Sequence, residues 1–322
     1  MLKKGQKVNF FLESLLLINI VPKLMIYNET KCVILNKSIM NKFLLLIFTA
    51  LSCNLLNAQE AANNKIQAGL SFQAGINSIR PETKVIEKNG LGTNLGVGMN
   101  LNYGFTKSLG FSTGLIFNFE TFKYKKGNTD LYYYYDDSEI RNKNGILDDN
   151  GIMNASTSTK LYSLTERTAK PLYLSIPTLL LFRTKFIGYY RYFGKFGVTN
   201  NFLLNYKYFD KGANIESLDP TDIAISFNNE NMTAVRKDLS LYKGFVSISG
   251  GTEWNFTGTT SLVAELCYNY GFVNITRGDA LTSDNDKNRT IVSEFDSNGT
   301  PIKFEKLPFK QNQIVLKVSI LF

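Results

Sequence analysis

The chain has 322 residues, of which 44% are hydrophobic, 20% are charged and none is histidine. Without histidine, Ser-His-Asp and Cys-His catalysis and histidine-based metal sites are excluded, and three cysteines are too few for a disulfide framework. The formal charge of +9 is concentrated near the N-terminus, because residues 1–58 carry seven Lys and two Glu. The remaining excess of basic residues is small and contains no Lys or Arg run, so we expect no nucleic-acid partner.

The N-terminal part is typical of a targeting segment. Residues 40–58 read as a signal peptide, with a basic start, the apolar run 43–51 and a small residue, Ala58, before the cleavage point. The run is shorter than the ~20 residues that a membrane-spanning helix needs. A membrane anchor and lipidation of Cys53 are the alternatives. We interpret residues 1–39 as a mis-assigned extension, with an extended signal n-region as the alternative.

From position 60 onward, apolar and polar residues alternate with a period of two, which is typical of β-strands with one apolar face. In the first segment Leu70, Phe72 and Ile76 share one face, and Gln67 and Ser71 share the other. Each of eight such segments has at least the ~9–11 residues that cross a bilayer as a tilted strand. The predicted strands are 65–76, 94–105, 109–120, 172–183, 190–206, 245–256, 262–275 and 313–322.

The connections between these strands alternate in length. Transmembrane barrels have short periplasmic turns and longer external loops, whereas a soluble β-sandwich, the alternative, has no reason for this asymmetry. We therefore predict an all-β domain over 59–322: an eight-stranded antiparallel transmembrane up-and-down β-barrel with long external loops and both termini periplasmic. The predicted long connections are 80–91, 126–170, 208–238 and 276–310, and the short ones are 106–108, 184–189 and 257–260.

Three segments resemble PorT-type outer-membrane β-barrels of Bacteroidetes. Tyr173–Leu181 is similar to their strand with a central Ile-Pro, and Val263–Ile275 is similar to their penultimate strand, although Cys267 stands where Arg is frequent. Gln311–Phe322 resembles their last strand, whose closing aromatic is an insertion signal for the barrel-assembly machinery. The resemblance implies an envelope location and a barrel, with no catalytic residue, and some relatives serve protein secretion.

Several charged residues fall on the predicted inward faces. Our interpretation is an ion-pair network that fills a narrow barrel, and a proton path or acid/base pair is the alternative. Arg183 and Arg191 join this set. The predicted lumen charges are Glu120, Lys195, Glu253, Glu265 and Lys317.

The long connections contain the remaining candidate residues. Tyr132, Tyr133, Tyr134 and Tyr135 form either a contact surface or a cluster packed on the barrel rim. The segment 142–149 suggests a calcium turn but lacks the first acidic position and the closing Glu of the EF-hand, so a solvated turn is favoured.

These observations predict a non-enzymatic outer-membrane barrel with a structural or binding role, through its loops or in envelope assembly and secretion. We expect no cofactor and no metal. The expected partners are outer-membrane lipid, the barrel-assembly machinery, and an extracellular protein or glycan or a secretion complex. The alternative is a narrow channel or transporter for small solutes or lipids, which an eight-stranded barrel disfavours because side chains fill its interior.

Overall fold

A computed structural model describes the part of the chain that follows the predicted signal peptide. The predictions for 1–39 and 40–58 lie outside the described residues. Among those described, no helix is long and apolar enough to cross a membrane. The described residues are 66–136, 139–148, 151–154, 158–215, 226–232, 238–255, 257, 260–276 and 289–322.

Strands dominate the described residues, with one short helix. In chain order the elements are β1 (Ile66–Pro81), β2 (Ile86–Lys88), β3 (Gly92–Gly104), β4 (Leu109–Glu120), β5 (Phe122–Lys126), β6 (Leu131–Asp136), β7 (Glu139–Ile140), α1 (Lys143–Ile146), β8 (Lys160–Arg183), β9 (Tyr190–Ile215), β10 (Ser226–Met232), β11 (Tyr242–Asn255), β12 (Ser261–Gly271), β13 (Val292–Phe295), β14 (Pro301–Phe304) and β15 (Phe309–Leu321).

Eight of these strands close into a ring in the order β1, β3, β4, β8, β9, β11, β12, β15 and back to β1. Every pair around the ring is antiparallel. Closure leaves no open edge in the wall, which a bilayer requires because lipid cannot satisfy free backbone groups. The predicted eight-stranded antiparallel transmembrane barrel is confirmed.

The barrel wall is apolar outside and polar inside. Leu70, Val97 and Leu266 point outward and are each more than half exposed, as lipid-facing side chains are. Asn118 and Ser249 point inward and are buried. The backbone hydrogen bonds of Ala68 with Phe322 place both ends of the described chain at the end that carries the short turns, here called the short-turn end.

This polarity inverts at the other end of the barrel. Beyond Glu120, the inward side chains become Phe122 and Tyr124, which are buried, while Lys123 and Lys125 point outward and are exposed. Such a pattern belongs to a sheet that has left the lipid and now encloses an apolar core in water. The wall therefore continues above the membrane as a folded extension.

The prediction of long loops beyond the barrel needs a correction. Strand β8 begins at Lys160, where we predicted loop up to residue 170, and β9 continues to Ile215. The sequence pattern that predicted the strands has an apolar outer face and a polar inner face. It missed both extensions because their apolar side chains point inward and their polar side chains point outward. We call the described residues within 79–91, 121–171, 205–241 and 273–309 the cap.

Two apolar clusters hold the cap together. The lower cluster continues the barrel interior, and the upper cluster lies among β6, α1, β8, β9, β13 and β14. The lower cluster contains Ile79, Ile86, Phe122, Tyr124, Leu131, Tyr133, Tyr135, Ile140, Tyr162, Leu164, Ala169, Tyr208, Leu239, Ile275, Ile291, Leu307 and Phe309. The upper cluster contains Tyr134, Ile146, Leu147, Leu161, Ile215, Val292 and Phe304.

Candidate functional site

The lumen is built in layers, and the first lies at the short-turn end. Arg191 forms a bidentate pair with Glu253, with Nε–Oε2 and Nη2–Oε1 distances of 2.7 and 2.8 Å. Arg183 donates to Gln67 Oε1 at 2.6 Å, and Gln67 Nε2 donates to Glu253 at 3.3 Å. The structure thus places predicted Glu253 in a hydrogen-bonded layer that closes the bottom of the barrel.

A small apolar layer separates this network from the central layer. Leu181, Phe193, Val263 and Leu321 form a buried cluster, which packs across the lumen. These side chains point inward from four different strands, β8, β9, β12 and β15. The cluster covers one part of the lumen at this height, and the buried Ser319, opposite Val263 in the register, accepts from Asn100 Nδ2 at 2.9 Å on the neighbouring part of the wall.

The central layer brings together three of the predicted charges. Lys195 Nζ lies 2.7 Å from Glu265 Oε2. The second oxygen, Glu265 Oε1, accepts from Ser249 at 2.6 Å and from Cys267 Sγ at 3.4 Å. Lys317 is directly opposite Glu265 in the strand register and is 6% exposed. The layer carries two cations and one anion.

A chain of amides and hydroxyls lies between the central layer and the cap. Gln73 Nε2 donates to Asn118 Oδ1 at 2.5 Å, and Asn118 Nδ2 donates to Ser175 Oγ at 2.5 Å. Ser175 in turn donates to Asn201 Oδ1, and Asn201 Nδ2 donates to the Lys243 carbonyl at 3.0 Å. These amide and hydroxyl groups satisfy one another's hydrogen bonds across four strands. They hold the lumenal side chains in place, and none of them is titratable.

The last lumenal layer contains a buried ion pair at the boundary with the cap. Lys243 Nζ lies 2.9 and 2.7 Å from the two oxygens of Glu120 and 3.1 Å from Gln311 Oε1. Gln311 Nε2 returns a hydrogen bond to Glu120 at 3.1 Å, and the ammonium lies 3.8 Å from the Tyr173 ring centroid. Sequence reasoning found Glu120 but missed Lys243, because we predicted that this strand starts at residue 245. Continuing the alternation two residues earlier would have placed Lys243 inward.

A second buried charge cluster lies inside the cap. Arg167 forms a bidentate pair with Asp210, at 2.8 and 2.7 Å, and both side chains are fully buried. Asp238 lies 3.7 Å from Arg167 and accepts hydrogen bonds from Tyr208 and Thr290. Burial raises the pKa of Asp238 above its ordinary value, and the Arg167 guanidinium opposes this rise. The cluster ties β8 and β9 to the segments at 238 and 290.

The interpretation of the four consecutive tyrosines as an exposed contact surface is wrong. They lie in β6, where Tyr133, Tyr134 and Tyr135 are at most 7% exposed and Tyr132 is half-buried. A strand sends alternate side chains to opposite faces, and here each face is covered: Tyr133 and Tyr135 enter the lower cluster, and Tyr134 enters the upper one. These residues are structural core of the cap.

The remaining predicted positions fall as follows. Phe322 is 44% exposed on the outer face at the short-turn end. In the segment 142–149, Asn142 caps α1 by accepting from the Gly145 amide at 3.1 Å, and Ile146 is buried in the upper cluster. Within the described ranges, no three His, Cys, Asp or Glu side chains lie close enough to hold a metal ion.

The closed antiparallel ring, its lipid-facing belt and its layered polar interior define a transmembrane β-barrel of the outer-membrane type with an ordered cap. No protein-family model and no curated protein matches the sequence.

Solved structures with a similar fold include several outer-membrane barrels. Ail, the attachment invasion locus protein of Yersinia pestis, is 12% identical, with 80% of this chain and 100% of that chain covered and a TM-score of 0.31. OprG from Pseudomonas aeruginosa is 9% identical, with 81% and 98% covered and a TM-score of 0.33. The outer membrane protease OmpT from Escherichia coli is 10% identical, with 80% and 96% covered and a TM-score of 0.33. The fold assignment rests on the strand pairing of this chain itself.

Proposed function

We propose that this protein is an integral outer-membrane barrel without enzymatic activity, in which the barrel anchors and the cap binds a partner. The observation that carries the proposal is the contrast between the two parts. The lumen is occupied by four polar layers and one apolar layer with only a small cavity between them, whereas the cap has two apolar clusters of its own. Long external segments with their own core are typical of functional rather than connecting structure.

The outer surface of the cap offers a candidate contact region around β14. This strand pairs with β13 alone among the described residues, and it stands at the end of the sheet order. Ile302 on β14 is 65% exposed, and Ile152, next to the half-buried Met153 of the upper cluster, is 64% exposed. Two exposed apolar side chains, one of them on the last strand of the sheet, favour a protein partner over a glycan.

A pair of substitutions tests this role. Ile152→Asp and Ile302→Asp place charges on exposed side chains, so we expect unchanged folding, seen as faster migration of the unheated barrel on a detergent gel. We expect both to abolish the phenotype that the wild-type gene restores in a deletion strain. The matched control is Lys88→Asp, an exposed cap position on β2. Full complementation by both isoleucine variants would contradict the proposed contact region.

The narrow channel is the alternative function, and the structure supplies an argument against it. A solute would have to pass the apolar layer at Phe193, the paired charges at Glu265 and the Glu120–Lys243 layer. Planar-bilayer recordings of the purified barrel should therefore show no stable conductance steps. Regular steps that disappear when a bulky residue is introduced at Ser249 would favour the channel instead.

The PorT-type relationship, with a role in secretion or envelope assembly, stays a prediction.

The periplasmic position of both termini is also a prediction. It is supported by the even number of strands and by the hydrogen bonds between Ala68 and Phe322, which place both ends of the described chain at the same end of the barrel. Protease added to intact cells should cut the cap and spare a tag fused after Phe322. Loss of the tag from unbroken cells would reverse the orientation.

A further inference from the structure

A small cavity lies in the lumen between the central layer and the cap-end ion pair. Its volume is about 40 Å³, and its lining includes Asn118, Asn201, Ser247, Cys267, Gln313 and Lys317. A single water needs roughly 10–15 Å³ of such volume, so the cavity has room for a small ion with one or two waters. Every residue named here points inward from a barrel strand.

Two hydrogen-bond donors that line this cavity have no acceptor. Lys317 is 6% exposed, and its Nζ has no hydrogen bond or ion pair with any residue of the described chain. Gln313 Nε2 is buried and unpartnered. The Oε1 of the same amide accepts from Asn94 and Asn269, both at 3.3 Å. Both donors belong to β15 and line the same space.

The charges of the central layer do not balance. Glu265 has its two oxygens occupied, one by Lys195 and the other by Ser249 and Cys267. Lys317 lies opposite Glu265 in the strand register and interacts with its charge, but two cations against one anion leave the layer with one excess positive charge in the interior. An isolated buried ammonium is strongly unfavourable unless a counter-charge or hydrogen-bond acceptors reach it. Water supplies acceptors but leaves the charge in place.

We propose that this cavity binds one monovalent anion of halide size, with Lys317 Nζ and Gln313 Nε2 as donors. A single negative charge neutralises the central layer, and the volume excludes large organic anions and most oxyanions with their hydration. Along the lumen, the apolar cluster lies on one side of the site and the Glu120–Lys243 layer on the other.

The test uses the whole barrel, refolded from denaturant with bromide as the only halide and crystallised in the same salt. We expect an anomalous-scattering peak in the cavity, within hydrogen-bond reach of Lys317 Nζ. Lys317→Met leaves the layer neutral and should remove the peak. Glu265→Gln raises the layer to two positive charges and should keep it. The matched control is Lys310→Met, an outward position on the same strand, which should also keep it.

A solution measurement provides a second result. Sulfate stabilises folded proteins without a specific site, so the Lys317→Met barrel measures that general effect. Relative to this variant, replacing sulfate by chloride at equal ionic strength should raise the melting temperature of the wild-type barrel by about 2–4 °C, because only the smaller ion fits. A wild-type cavity without bromide overturns the proposal, and so does a peak that persists in Lys317→Met. The wild-type crystal decides the matter even if that variant fails to fold.

Discussion

Replacing Lys243 by methionine should destabilise the barrel strongly, and the reason lies in the geometry of the cap-end layer. Lys243 is 1% exposed and Glu120 is 2% exposed, and their atoms approach to 2.7 Å. Methionine keeps the length of the side chain and its apolar contact with Tyr173. It removes the only cation bonded to Glu120 among the described residues, so the carboxylate stays buried with one amide donor from Gln311.

The expected loss of stability follows from removing one partner of a buried ion pair. Removing one partner of such a pair typically costs about 3–5 kcal/mol, since the other charge is left uncompensated. Removing both charges together avoids this penalty. The double variant Glu120→Gln/Lys243→Met should therefore be more stable than Lys243→Met alone, by roughly 1–3 kcal/mol. Glu120→Gln alone should be destabilised, because the ammonium of Lys243 then lacks its anion.

Urea unfolding in detergent micelles, followed by gel migration of the folded form, measures these differences. Lys310→Met is the control, because its pair with Glu82 is about one-third exposed and should contribute less than about 1 kcal/mol. The reasoning is refuted if Lys243→Met costs less than about 1 kcal/mol, or if the two single effects add without coupling in the double variant.

Three further predictions concern other parts of the chain. Phe322→Ala should lower the yield of membrane-inserted barrel, measured by heat-modifiable migration, because the exposed aromatic at the short-turn end is lost; an unchanged yield would count against that role. Because burial raises the pKa of Asp238, the native state binds this proton more tightly, and cap stability should fall as pH rises through the window between the ordinary and the raised pKa. The Asp238 side chain is 21% exposed, and the contact with water makes the effect smaller. The melting temperature of Asp238→Asn, measured relative to wild type, should increase from about pH 4 to about pH 7. A difference that stays constant over this range would contradict the prediction. Mature protein should begin at Gln59, and N-terminal sequencing that returned Met1 or Cys53 would exclude this cleavage.

The sequence alone was sufficient for the membrane-spanning wall. Lipid on one side and a narrow polar lumen on the other force a period of two, and this period is visible without any knowledge of partners. The predicted segment 109–120 agrees with the observed β4, and the inward positions of Glu265 and Lys317 followed from the same alternation. The even number of strands and the unequal connections then favoured closure into a barrel.

The cap and the pairing of charges were decided by tertiary structure. In the cap the apolar face turns inward, so the rule that located the wall no longer distinguishes strand from loop at Lys160 or Ile215. The sequence left the tyrosines of β6 as either a contact surface or a packed cluster, and the structure decides for packing because two clusters from distant segments cover the two faces of the strand. Lys243 meets Glu120 across 123 positions of sequence. The alternation in the sequence shows which face of the wall a residue occupies. Barrel closure determines which residues lie at the same level of the lumen, and this arrangement decides which charges are in contact.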